Sequence, residues 1–186
     1  MKKILCFLFL FFPFIGFAGE ASHYKKMLKK YTRHGEDFNI QTMAANLVID
    51  GLYLSDEFRE AYAKRFAEIY RLNSNDTRLK VNEEIEKSKK GTQFLLSVFT
   101  YDKKWNELET DQSIWKLRLE FEGKSYTPLQ VEKLKITPAD TTFYPFLTPW
   151  SKLYLVTFDK NISLSDQSSF EMALFGVKGN RTLVWK

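Results

Sequence analysis

The chain carries two histidines, His23 and His34, and both lie close to its start. A Ser-His-Asp mechanism needs a base held by a third group beside a nucleophile, and no glycine-flanked serine elbow stands in the sequence. His34-Gly35-Glu36-Asp37 gathers metal-capable side chains. It has no HExxH spacing and no second histidine in register, so it reads as a solvated helix end. Asp159-Lys160-Asn161-Ile162-Ser163 places oxygen ligands at alternate positions, as a calcium loop begins. Leu164 fills the place of the required glycine and no glutamate closes the loop, so this reads as a turn before a strand. The eight glycines are dispersed and form no phosphate-cradling loop. A glycosidase needs only two carboxylates. The acidic residues sit mostly on polar faces: Glu120 and Glu122 along a strand, and Glu83, Glu84 and Glu86 in a polar helix. These residues support no catalytic, metal or cofactor assignment, and a hydrolase of wall polysaccharide or peptide using paired carboxylates is the runner-up reading.

Residues suited to contact are easier to find. Phe143-Tyr144-Pro145-Phe146-Leu147-Thr148-Pro149-Trp150 crowds four aromatics around two rigidifying prolines. Rigid rings offer large contact area at low entropic cost. Phe143, Tyr144, Phe146 and Trp150 are therefore the first candidate ligand-binding residues, with Trp105 as a second site. The competing reading has the same rings plugging the end of a β-fold. A second surface lies in Ala21–His34, where Tyr24, Met27, Leu28 and Tyr31 recur at helical spacing and Lys25, Lys26, Lys29, Lys30 and Arg33 fill the opposite face. That stripe packs on the domain and leaves the lysines in water, or it presents them to anionic lipid or an acidic partner as a peripheral membrane contact. The narrow apolar face argues against deep insertion.

The elements that must position these residues follow from periodicity. Helices are expected within 21–34, 55–72 and 76–90. Gly35 stops the first; Ser55, Asp56 and Glu57 open the second; Leu79 and Ile85 anchor the third. Phe38–Asp50 is ambiguous and leans to strand on its β-branched Val48 and Ile49. From Thr92 the period becomes two. Phe94–Phe99 is apolar on both faces, while Trp115, Leu117, Leu119 and Phe121 alternate cleanly with Lys116, Arg118, Glu120 and Glu122. Leu129–Ile136, Leu153–Phe158, Phe170–Val177 and Thr182–Trp185 are further strands, with turns at Glu122-Gly123-Lys124 and Lys178-Gly179-Asn180-Arg181. The expected fold is mainly β with a helical insertion (α+β): an antiparallel β-sandwich of about six to eight strands with two or three helices in the N-terminal half. A single antiparallel sheet packed on helices is the alternative.

Met1-Lys2-Lys3 is followed by an uncharged apolar run from Ile4 to Ala18. The run falls short of the roughly 20 residues a spanning helix needs, and Gly16 and Ala18 supply the small residues of a cleavage site. Residues 1–18 are thus expected to be a signal peptide and 19–186 one globular domain. Removing the first 18 of 186 residues takes away Cys6, the single cysteine, along with Lys2 and Lys3, so the formal net charge falls from +5 to +3. The remaining domain would enter an oxidising compartment without disulfides or thiol chemistry. The mild charge implies no nucleic-acid partner.

Leu52-Tyr53-Leu54-Ser55-Asp56-Glu57-Phe58-Arg59-Glu60-Ala61-Tyr62, with Tyr31-Thr32-Arg33 and Ser113-Ile114-Trp115, resembles uncharacterised exported envelope proteins of Gram-negative bacteria. The resemblance implies a periplasmic or envelope location and brings no activity, ligand or site residue. The resulting expectation is a non-catalytic exported module that binds an envelope protein or a polysaccharide.

Overall fold

The computed structural model describes residues 18–40, 44–162, 164 and 169–186. The chain runs α1 (Ala18–Tyr31), β1 (Thr32–Asn39), β2 (Ala44–Tyr53), α2 (Asp56–Ile69), α3 (Ser74–Ser88), β3 (Thr92–Thr100), β4 (Trp115–Phe121), β5 (Lys124–Tyr126), β6 (Gln130–Leu134), α4 (Pro138–Phe143), β7 (Lys152–Phe158), β8 (Phe170–Gly176) and β9 (Gly179–Trp185). One antiparallel sheet has the order β1-β2-β3-β7-β6 and the other β5-β4-β8-β9. The mainly β, α+β class read from the sequence is therefore the observed one, with nine strands and four helices among the described residues.

The two sheets meet through large rings. Phe94 of β3 lies 5.5 Å from Trp185 and 6.0 Å from Phe170, and Tyr53 of β2 lies 5.4 Å from Phe170. The outward face of β3, Gln93 and Leu95, is covered by α2 and α3. Three layers result: helices, five-stranded sheet, four-stranded sheet. This explains why Phe94–Phe99 is apolar on both sides whereas β4 alternates buried and exposed. The Glu122-Gly123 turn joins β4 to β5 with both residues at positive φ, 50° and 70°, as a two-residue hairpin requires.

α2 opens as expected, with the Ser55 hydroxyl accepting from the Phe58 amide at 3.1 Å. Phe58 and Ala61 are buried. α3 departs from expectation: Leu79 is 57% exposed and does not anchor it. The helix is instead held by Glu84, which is buried, and by ion pairs along its length.

The first helix ends three residues before its pattern suggested. It stops at Tyr31, and Thr32–Asn39 turns directly into a strand paired with β2. The Trp185 indole donates to the Tyr31 carbonyl at 2.8 Å and the Arg33 guanidinium to the Val184 carbonyl at 2.8 Å. These bonds from β9 replace the next helical turn. His34-Gly35-Glu36-Asp37 is consequently strand and not a helix end. The ambiguous 38–50 stretch is the meeting of β1 and β2, as the strand reading had it, with Gln41, Thr42 and Met43 outside the described residues. The last hairpin turns at Val177-Lys178, one step before the expected position, because Gly176 pairs with Gly179. Residues 1–17, nearly all of the expected leader, lie outside the described residues. Among the described residues no helix is long and apolar enough to cross a membrane.

Candidate functional site

Where α2 and α3 cross the outer face of β3, β7 and β6 they leave a partly open cavity of about 330 Å³. Its apolar walls are Leu54, Phe58, Leu95, Leu134 and Leu155, and its polar lining is Arg59, Tyr62, Glu84, Lys87, Lys90, Gln93 and Tyr144. α2 supplies Arg59 and Tyr62 from positions three apart, on one face of the helix. α3 brings Glu84 against them, and β3 contributes Gln93 on the same side as Leu95.

Arg59 is 4% exposed. Its Nε donates to the Leu54 carbonyl at 3.1 Å and one Nη to Gln93 Oε1 at 2.6 Å, while the other Nη meets Glu84 Oε2 at 3.4 Å. Gln93 in turn donates to Thr157 Oγ1 at 3.1 Å. Burial pulls the Arg59 pKa down from its ordinary value, and Glu84 foremost works in the other direction. The second oxygen of Glu84 takes Lys80 at 3.1 Å and Lys87 at 2.7 Å. Desolvation lowers the Lys87 ammonium, but its bonds to Glu83 and Glu84 outweigh this and leave its pKa raised. Above this cluster, burial pushes the Tyr62 phenol up to about 12 and drives Tyr144 well above the usual tyrosine range. Both hydroxyls thus stay protonated donors at neutral pH.

The aromatic segment divides between interior, cavity and surface. Phe143 is 3% exposed; its ring lies 4.9 Å from Tyr62 and 6.0 Å from Phe66, and its carbonyl accepts from the Tyr24 hydroxyl at 2.6 Å. Tyr144 stacks on Tyr62 at 6.1 Å with an interplanar angle of 8° and enters the cavity lining. Phe146 is half-buried, 5.9 Å from Tyr144, while Trp150 is 68% exposed. Trp105 ends a short 3-10 turn, its carbonyl accepting from the Trp115 indole at 2.6 Å and Lys178 lying 4.6 Å from its ring centroid. Of the basic set, Lys25, Lys26 and Lys29 are exposed on α1. Lys30 is paired with Glu57 at 2.6 Å, and Arg33 belongs to β1 and not to the helical face. His34 meets Asp50 at 2.8 Å, and the Asp159 carboxylate accepts from the Asn161 amide in a turn.

Arg59 and Gln93 escaped the sequence reading, and Glu84, read there as part of a polar helix face, is buried. The signals were present: a charged residue amid the apolar face of α2, and a glutamine opening an otherwise apolar strand. Among the described residues lining this cavity there is one carboxylate, neutralised by three cations, and neither histidine nor serine. No serine or histidine stands beside that carboxylate in the lining, so it holds no Ser-His or paired-carboxylate arrangement. A second cavity of about 470 Å³, beside β4 and β6, is lined by both Glu109 and Asp111. Glu109 approaches Lys133 at 3.5 Å through one oxygen, and its other oxygen is buried with no hydrogen-bond partner among the described residues.

No family model matches the chain, and neither does any curated protein. Among solved structures it is similar to a novel protein of unknown function from Burkholderia pseudomallei, at 6% identity and a TM-score of 0.44, over 89% of this chain and 82% of that one.

Proposed function

We propose that the chain is a non-catalytic binding module exported to the envelope of a Gram-negative bacterium, and that the cavity under α2 and α3 is where it binds. One observation supports this reading above the others. The cavity is walled by apolar side chains around a polar cluster whose members hold one another in place, Arg59 by Glu84 and Gln93. A preformed concave site with a few convergent polar groups is the usual form of a ligand pocket. Purification from the bacterial envelope under native conditions tests it. Native mass spectrometry is expected to show a mature chain beginning at Gly19 and carrying a small-molecule adduct that denaturation releases. A chain with its leader intact in the cytosol, or one that never carries an adduct, would overturn the proposal.

Glu109 and Asp111 sharing a cleft favour a second reading, hydrolysis of wall polysaccharide or peptide by paired carboxylates. On that reading, incubation with purified wall material releases soluble fragments and Glu109→Gln abolishes the release. No release from the parent chain would remove it.

A further inference from the structure

We propose that the cavity takes a small molecule with one anionic head group, a carboxylate or its equivalent, on an aliphatic chain. This rests on the binding reading above and names its ligand class. The charge balance points to the head group: Arg59, Lys87 and Lys90 of the lining, with Lys80 behind them, stand against Glu84 and its neighbour Glu83, four positive charges against two, a formal excess of two. Arg59 reaches Glu84 through a single contact at 3.4 Å, not the short two-pronged geometry of a saturated arginine–carboxylate pair. Glu84 does not depend on that contact, since Lys80 and Lys87 hold its other oxygen at 3.1 and 2.7 Å. An incoming carboxylate can therefore engage Arg59 without leaving Glu84 uncompensated. The phenol of Tyr144, with no hydrogen-bond partner among the described residues, adds a donor to the same cavity.

The opposite wall points to the tail. Leu95, Leu134 and Leu155 come from three neighbouring strands, so the ligand would lie along an aliphatic surface with its charge toward the helices. At about 330 Å³ the cavity is at the small end of the roughly 300–1,000 Å³ typical of ligand pockets. If each heavy atom takes the ~30 Å³ share of a water molecule, the occupant has roughly a dozen heavy atoms.

Isothermal titration calorimetry with decanoate, decanol and acetate separates the two halves of the claim, because decanol keeps the tail and acetate keeps the head. Decanoate is expected to bind at least ~10-fold more tightly than either. Tyr144→Phe combined with Lys90→Gln is expected to weaken decanoate about tenfold at an unchanged melting temperature, since Lys90 is exposed and only a hydroxyl is removed from Tyr144. Leu134→Trp at the half-buried edge strand, which fills the cavity, is expected to abolish decanoate binding. Decanol binding as tightly as decanoate would overturn the head-group inference and leave the cavity reading standing. Acetate binding as tightly as decanoate would overturn the tail. Absence of binding by all three probes, with the envelope-derived adduct retained in Leu134→Trp, would overturn both the inference and the reading beneath it.

Discussion

Arg59 and Glu84 are charged groups taken almost wholly out of water, with side chains 5% and 8% exposed. Removing one member of such a pair strands the other, which costs more than the pair contributes. Glu84→Ala is expected to lower unfolding stability by about 3 kcal/mol in urea titration, whereas Arg59→Met with Glu84→Leu should stay close to the parent. Two aromatics of one segment should part in the same way. Phe143→Ala should cost about 3–5 kcal/mol, as for a truncated core ring, and Trp150→Ala less than about 0.5 kcal/mol, as for an exposed residue. Composition alone marked that segment as unusual, but it could not say which rings face inward. Phe143 is sealed by Tyr24, Tyr62 and Phe66, which come from helices distant in sequence. The cavity's polar residues were illegible for a related reason. Arg59 and Gln93 gain meaning only from each other, 34 positions apart.

Elements were more readable where a local rule decides them. The Ser55 cap and the Glu122-Gly123 hairpin follow from side-chain and backbone chemistry within a few residues, and both stand as read. The end of α1 was not readable, because bonds from β9, some 150 residues downstream, replace its final turn. Gly51 shows the same long reach at the sheet interface. A methyl there would sit 2.6 Å from a Leu183 methyl and 3.3 Å from the Trp185 ring. Gly51→Ala should therefore push β2 from β9 and cost about 1–3 kcal/mol in urea unfolding, as overpacking does. No change, or a gain, would show the interface to be looser than these distances require.

At the scale of the molecule, three layers follow from one property of β3, whose two apolar faces demand a cover on each side. The sequence announced two apolar faces and a helical insertion over one end or one face; it did not say which, and the structure sets α2 and α3, inserted between neighbouring strands β2 and β3, over the outer face of β3. The buried phenols beneath that cover give stability a pH dependence. Tyr62 binds its proton more tightly in the fold, titrating near 12 against an ordinary 10.0. The contribution is complete below pH 10 and is lost as pH rises toward 12. The melting temperature should fall across that window, and Tyr62→Phe should lessen the fall without removing it, since burial raises Tyr144 in the same direction. A melting temperature that is level from pH 10 to 12 would mean the phenol is not desolvated as described.

Methyl NMR of the folded domain, titrated with an organic extract of the bacterial envelope, tests the binding cavity most directly. The methyls of Leu54, Leu95, Leu134 and Leu155, which wall it, are expected to shift together and saturably. Fixed signals at those four leucines, with perturbations gathering instead around Trp105, Trp150 or the α1 lysines, would contradict the account.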